Sequence, residues 1–545
     1  MRRREFVQSA LAAGATAVLQ RAARARRWSA FADSRVEILL DEPIGAIAPE
    51  IYGHFTEHLG GVIYDGVWVG ENSKVPNVGG IRKALADALR AIHPGVIRWP
   101  GGCFADSYDW RDGVGPRERR PKRTNFWADD PGYKNLGDIP ARFDPNEFGT
   151  TEFLRFCRLV GAQPYLAANV RTLPPRAFDQ WLEYCNSPAG STTWADARGA
   201  AGDREPYGVR FWGVGNESWG CGGNFTPEEY ASEFRRFVTW TVPQYGVDLA
   251  FIASGPNGGD VEWTRRFFEA VAGRNDLDRV WGWALHHYCS AEGAGADAVA
   301  FDDRGWYDLL ASADRMESLI TAHWQVMRQA DRAHKVKLVV DEWGAWHRSA
   351  PLADPSHLFE SQNTIRDALV AGLTLDTFNR HAEKVAMANL AQLVNCIHSL
   401  FFSHQDRFVV TPTYHVFGMY AAHQGAQAMR TLCSAPRIGW TDGQGTKRDL
   451  SGLAGSASLR EHTLNLTVTN PSLTEARDAE IAVRGGAVRA ARATTLAARS
   501  VHDVNSFDRP DAVTPATADL PAAGAVIAYR FPPASVTRLE LSLGS

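Results

Sequence analysis

Arg210-Phe211-Trp212-Gly213-Val214-Gly215-Asn216-Glu217 is a short apolar run that stops at a carboxylate. A second run, Lys337-Leu338-Val339-Val340-Asp341-Glu342-Trp343, ends the same way. Brief runs of Val, Leu, Phe and Trp bounded by polar residues have the pattern of strands buried on both faces of a parallel sheet. Similar runs occur at 51–55, 96–99, 164–169, 209–214, 249–254, 281–287, 337–341 and 385–393. Helical periodicity fills the gaps at 81–92, 146–160, 227–242, 261–272, 306–333 and 364–379. Eight strands alternating with helices fit a closed (β/α)8 TIM barrel better than an open doubly wound sheet. The expected fold class is therefore α/β, with Glu217 and Glu342 at strand ends that open into the barrel mouth, where this fold keeps its chemistry.

Near residue 425 the pattern changes to short alternating stretches at 463–469, 480–484, 526–531 and 535–541, separated by turn residues. That alternation reads as a C-terminal all-β sandwich. The isolated run Val36-Glu37-Ile38-Leu39-Leu40, ahead of the barrel, is expected to join it. The organisation expected is thus a terminal segment at 1–32, a strand segment at 33–44, a catalytic barrel at 45–425 and a β-sandwich at 426–545.

Composition narrows the function. A hydrophobic share of 45%, a charged share of 22% and a net charge of -4 describe an ordinary globular chain, with no reason to expect nucleic acid or an anionic membrane as partner. No GxGxxG or GxxxxGK[ST] pattern opens a helix, so nucleotide binding has no support. The 18 Trp supply platforms for sugar rings as well as core. Seven cysteines, an odd count without CxxC pairs, suggest no disulfide framework and leave at least one thiol unpaired. Arg2-Arg3-Arg4 before a weakly apolar stretch and Ala30-Phe31-Ala32 reads as a twin-arginine signal peptide, implying a periplasmic or secreted protein. No stretch approaches the ~20 apolar residues of a membrane anchor.

Two carboxylates facing one cleft are what retaining glycoside hydrolysis requires, one as proton donor and one as nucleophile. His286 and His287 beside Cys289 could suggest a metal site, but no spaced third ligand accompanies them.

Longer stretches carry a resemblance. A strand-end Asn-Glu on the fourth barrel strand and a strand-end Glu on the seventh resemble the glycoside hydrolase clan with a 4/7 arrangement of carboxylates. Within it the chain is similar to family 51, the α-L-arabinofuranosidases. The stretches that carry this are Ile51 to Gly61, Ile97 to Phe104, Trp110 to Pro116, Asn146 to Gly149, Gly213 to Asn224, Leu285 to Tyr288, Val340 to Trp343 and Ala391 to Asn395. The resemblance implies Glu217 as general acid/base and Glu342 as nucleophile. It further implies that Asn216 binds the sugar 2-OH, that Glu57 and Cys103 grip the furanose hydroxyls, that Tyr288 contacts the nucleophile, and that Gln392 reaches the sugar. The resemblance makes His286 and His287 barrel-lining residues, so neither a catalytic metal nor a cofactor is expected, and Cys221 is read as packing beneath the site. The substrate implied is an arabinose-containing oligo- or polysaccharide, and the assembly a homo-oligomer, hexameric as in relatives. Two alternatives stay open: a β-xylosidase or endo-β-glucanase on the same scaffold, and a carbohydrate-binding protein without catalysis.

Overall fold

The computed structural model describes residues 32–137, 139–239, 241, 246–521 and 523–544. The expected signal segment therefore lies, apart from Ala32, outside the described residues.

Eight parallel strands close into a barrel: β2 (Gly53–Phe55), β3 (Val96–Trp99), β4 (Gln163–Ala168), β5 (Phe211–Val214), β6 (Ala250–Ala253), β7 (Gly282–Cys289), β8 (Lys337–Ala345) and β9 (Val385–Leu390). Closure follows from β9 pairing with β2 and β5 with β6. Apolar and aromatic side chains fill the interior, among them Val96, Tyr165, Phe211, Ala250, Ile252, Ala284, Val339 and Met387. A second, larger apolar layer lies between the strands and the surrounding helices.

Those helices are α1 (Lys83–Ile92), α2 (Thr150–Val160), α3 (Pro175–Asn186), α4 (Pro227–Val238), α5 (Val261–Ala272), α6 (Asp303–Met327), α7 (Ile365–Arg380) and α8 (Pro412–Tyr420). Helix α4 shows how local sequence sets a boundary. Thr226 caps it, Pro227 sits at the first helical position, and Glu229 reaches back to the Thr226 backbone N–H at 2.8 Å. That reciprocal cap fixes where the chain turns after the loop carrying Glu217. Helix α3 has no counterpart in the periodicity reading, because Pro174-Pro175 looks like a loop. A proline at the first helical position is nonetheless compatible with a helix start.

The C-terminal part is rich in sheet, and apart from a separate hairpin of Ile438–Thr441 with Lys447–Leu450, its described strands join one continuous sheet of nine. They are β10 (Gln427–Ser434), β11 (Ala454–Arg460), β12 (Thr463–Asn470), β13 (Arg477–Arg484), β14 (Val488–Ala497), β15 (Ala516–Leu520), β16 (Val526–Phe531) and β17 (Ser535–Leu543), with β1 (Ser34–Ala46) as the ninth. The order is β15-β14-β17-β12-β11-β10-β1-β13-β16. Strand β1 runs antiparallel to β10 and parallel to β13. Ile481 and Ile527, toward one end of that order, share an apolar cluster with Ala491 and Leu541 toward the other, so the sheet folds over on itself. The two layers of the expected sandwich are thus halves of one sheet.

Barrel and sheet meet across α7, which is buried along its whole length apart from Arg380. A helix enclosed on all sides must satisfy its polar groups internally. Asp376 does so by accepting from Thr467 Oγ1 at 2.5 Å, Ser456 Oγ at 2.7 Å and Tyr420 Oη at 2.9 Å. Among the described residues no helix is long and apolar enough to cross a membrane.

Burial pushes the Asp376 carboxyl up to about 7 against those hydrogen bonds. The unfolded chain ionises this group near pH 4, so the native state holds its proton over a higher range. Stability from this site is present below the unfolded pKa and is lost as pH rises through about 7. Urea midpoints measured at mildly acidic and neutral pH should fall with rising pH in the wild type, and fall less in Asp376→Asn. An unchanged slope in that variant would place the pH dependence elsewhere.

Candidate active site

The barrel mouth gathers seven side chains from six strand ends. Glu57 follows β2, Cys103 follows β3, Asn216 and Glu217 follow β5, Tyr288 closes β7, Glu342 lies in β8 and Gln392 follows β9. Every residue singled out from sequence is therefore in one place.

Glu342 reaches that place through a break in strand alternation. Leu285 pairs with Val340 but His286 pairs with Glu342, which leaves Asp341 as an extra residue. With period two, Asp341 and Glu342 would face opposite ways; a bulge re-aims the second of them. Both then turn inward. Asp341 accepts from Tyr165 Oη at 2.8 Å, and Glu342 accepts from Arg98 Nη1 at 2.8 Å and Tyr288 Oη at 2.8 Å.

Glu217 is held differently. Its backbone is left-handed, with φ of 40°, an uncommon conformation for a residue with a side chain. Two N–H groups, of Gly220 at 2.7 Å and Gly222 at 3.2 Å, donate to its carbonyl, so the loop is wound around it. Asp106 clasps the same loop: Oδ2 accepts from the Asn216 N–H at 2.9 Å while Oδ1 accepts from Val170 N–H at 2.9 Å. Burial pushes this carboxyl up to about 7.

The two glutamates share a histidine. His286 Nδ1 lies 3.0 Å from Glu217 Oε1 and 3.5 Å from Glu342 Oε2. An oxygen of each carboxylate and this nitrogen all lie within 4.8 Å of one another. Such a separation suits direct attack by one carboxylate, whereas an inverting pair stands about 6.5–9.5 Å apart to admit a water. Exposure is unequal, at 21% for the Glu217 side chain and 7% for Glu342, so solvent reaches the first more readily.

Charge is arranged accordingly. Burial alone would raise the Glu342 pKa, but the charges of His286 and Arg98 and hydrogen bonds from Arg98 and Tyr288 outweigh it, leaving the carboxyl below its ordinary range. Burial opposes charge on His286, yet the two neighbouring glutamates hold its pKa above the usual value. Burial pushes Glu57 up to about 7, even though it accepts from the Phe104 N–H at 3.0 Å, Trp127 Nε1 at 3.1 Å and Gln392 Nε2 at 3.0 Å. Gly102 lies between them. A Cβ there would sit 3.0 Å from Glu342 Oε1 and 3.4 Å from Glu57 Oε2, so only glycine leaves that space open. The carboxylates of Glu217 and Glu342 with His286 could geometrically also hold a cation.

Three features escaped the sequence reading. Arg98, 1% exposed, also donates to Asn216 Oδ1 at 2.6 Å and stacks 4.7 Å from the Phe55 ring centroid. A charged residue inside the apolar run Val96–Trp99 was the available signal. His286, expected only to line the barrel, bridges the two glutamates; its place two residues before Tyr288 puts both on one strand face. Cys221 is a correction. It forms a disulfide with Cys103, with a sequence separation of 118, and both sulfurs approach Glu217 Oε2, at 3.6 and 3.8 Å. Neither sulfur then has a proton to donate, so Cys103 offers a sugar no S–H. The loops after β3 and β5 meet only in the closed barrel, which is why spacing did not reveal the pair.

The chain is similar to known proteins over most of its length. The model of the α-L-arabinofuranosidase 1 domain matches residues 88–304 and that of the α-L-arabinofuranosidase C-terminal domain residues 341–535. The intracellular exo-α-L-arabinofuranosidase of Bacteroides ovatus is 35% identical over 94% of this chain and 96% of its own. The intracellular exo-α-(1->5)-L-arabinofuranosidase 1 of Bacillus subtilis (strain 168) is 28% identical over 81% of this chain and 85% of its own. The crystal structure of a GH51 arabinofuranosidase from Xanthomonas axonopodis pv. citri superposes with a TM-score of 0.86 at 36% identity, covering 94% of this chain and all (100%) of that one. The relatives' names correct the expectation of a periplasmic or secreted protein, since they describe intracellular enzymes. Consecutive arginines before a weakly apolar stretch have the composition of a solvated basic tail as much as of an export signal.

Tyr288→Phe removes one donor from Glu342 and should move the acidic limb of the kcat/KM profile to higher pH. The sign follows because the lost hydrogen bond favoured the charged carboxylate. The rate at the optimum should fall about 10- to 100-fold. A profile with an unmoved acidic limb would show that the limb belongs to another group.

Proposed function

The chain belongs to glycoside hydrolase family 51 as an exo-acting α-L-arabinofuranosidase, and from that premise we propose a double displacement in which Glu342 attacks and Glu217 moves the proton. The substrate is a terminal non-reducing arabinofuranosyl unit of an arabinan- or arabinoxylan-type chain. The observation that carries the mechanism is the approach of the two carboxylates across His286, within 4.8 Å.

In the first step a Glu342 oxygen bonds to the anomeric carbon as the bond to the aglycone oxygen breaks. That oxygen keeps the electron pair and takes the Glu217 proton, leaving a glycosyl ester on Glu342. In the second, the Glu217 carboxylate takes a proton from water, whose oxygen attacks the anomeric carbon and returns Glu342 as a carboxylate. Arg98 and Tyr288 keep the nucleophile ionised. Asn216, oriented by Arg98, receives the sugar 2-OH, while Glu57, Gln392 and the Cys103 sulfur line the remaining hydroxyls. The greater exposure of Glu217 supports its role toward water. The catalytic unit is the barrel at 45–425, with 33–44 and 426–545 forming the sheet part. Association into a homo-oligomer, a hexamer as the family resemblance implies, belongs to the same proposal and is read by light scattering.

The test pairs two variants. Glu342→Ala should lose hydrolysis of nitrophenyl arabinofuranoside by about 10³-fold or more and recover turnover with azide, giving an inverted glycosyl azide. Glu217→Ala should retain the ester-forming step on an activated leaving group and lose it on natural linkages. Hydrolysis of a xyloside or soluble glucan in preference to the arabinofuranoside would reassign the specificity. Turnover that survives Glu342→Ala without azide would remove the nucleophile.

A further inference from the structure

Away from the two catalytic carboxylates, three chain segments place Asp65, His357 and His404 together. Asp65 follows β2, His357 follows β8, and His404 ends the short strand Phe401–His404 that follows β9. They lie beside a cavity of about 360 Å³ that Asp65 and His357 line together with Tyr64, Asp354 and Glu147.

The donor atoms already have the spacing of a coordination shell. Asp65 Oδ2 lies 3.2 Å from His404 Nδ1 and 3.7 Å from His357 Nε2, and the three are mutually within 4.8 Å. Ligands about 2.0–2.1 Å from a tetrahedral zinc stand roughly 3.3 Å from one another, so only a small closure is needed. Asp65 Oδ1 is used otherwise, accepting from Arg82 Nη2 at 3.1 Å and the Gln405 N–H at 2.9 Å, which aims Oδ2 at the imidazoles.

The outer contacts are those of a ligand histidine. His357 Nδ1 lies 2.7 Å from Glu360 Oε2, the carboxylate–imidazole contact that fixes ring orientation in metal sites. Gly61 packs close against the same ring; a Cβ there would meet His357 Nε2 at 2.4 Å. Phe359, a bulky residue with φ of 61°, holds the turn that presents Glu360. Asp354 is anchored through Oδ1 by the Ser356 N–H at 2.9 Å and Oγ at 2.8 Å, and faces the same cavity. Three carboxylates, of Asp65, Asp354 and Glu360, thus stand around two imidazoles, with the guanidinium of Arg82 paired to Asp65.

We propose that Asp65, His357 and His404 bind a divalent metal ion of the zinc class, with Asp354 or water from the cavity completing the shell. The ion would staple the segments after the first, seventh and eighth barrel strands. Those segments flank Glu57, Glu342 and Gln392, so its effect is on the rigidity of the mouth and on stability, with no part in bond breaking.

The test uses full-length protein stripped with a chelator and titrated with zinc chloride by calorimetry. One equivalent should bind in the micromolar range or tighter and raise the melting temperature. His404→Gln should weaken binding by about 10- to 100-fold or more while leaving metal-free hydrolysis unchanged. Should that variant fail to fold, cobalt substitution of the wild type gives a second reading, since histidine-bound cobalt shows d–d absorption. No binding in the millimolar range, which leaves a cluster of ion pairs only, would overturn the proposal. So would an equivalent that survives His404→Gln, or one displaced by saturating arabinose, which belongs to Glu217, His286 and Glu342.

Discussion

Arg98 is a guanidinium with almost no access to water, set between the rings of Phe55 and Tyr165. A charge in that position is tolerated only when its partners are fixed, because an unpaired ion in the interior costs about 3–5 kcal/mol. Its partners are Glu342 at 2.8 Å and Asn216 at 2.6 Å, with Asp341 at 3.8 Å. The requirement to neutralise Arg98 and the requirement to aim Glu342 are therefore met by the same contacts. From Glu342 the charges continue through His286 to Glu217, so the whole line depends on one buried cation.

The barrel supplies strand ends, but the line also needs departures from regular strand geometry. An extra residue at Asp341 turns Glu342 inward. A left-handed backbone at Glu217 brings the other carboxylate to meet it. Each departure is held by specific contacts: Tyr165 on Asp341, and the Asp106 clasp on the Asn216 N–H. Strain of this kind persists where surrounding structure over-determines it. The Cys103–Cys221 bridge adds a covalent tie between the loops after β3 and β5, directly against Glu217.

The sheet-rich part contributes at a distance. Its strands close against α7, whose Asp376 is satisfied by Ser456 and Thr467 from that sheet and by Tyr420. Helix α7 in turn follows β8, which carries Glu342. Strand β1, the first among the described residues, lies between β10 and β13, so segments on either side of the barrel in sequence are parts of one sheet.

Much of this was legible in the residues alone, for a physical reason. Burial on both faces demands continuous apolar runs, and the eight barrel strands lie on or within those runs to within a few residues. Strand-end position made Glu217 and Glu342 stand out, and alternation distinguished the sheet-rich part from the barrel. Helix α3 was hidden by two prolines that serve equally well as a loop or a helix start. What local pattern could not supply was any fact that depends on closure of the ring. Arg98 reads as an anomaly in an apolar strand until Glu342 is brought across to it, and His286 reads as lining until two carboxylates converge on its nitrogen. Cys103 and Cys221 are unremarkable thiols until neighbouring loops meet. Sequence determined the elements and the residue types at their ends, because burial acts on neighbours in the chain. Tertiary structure decided which of those ends share a charge, a proton or a covalent bond, because those interactions act only over a few ångströms of space.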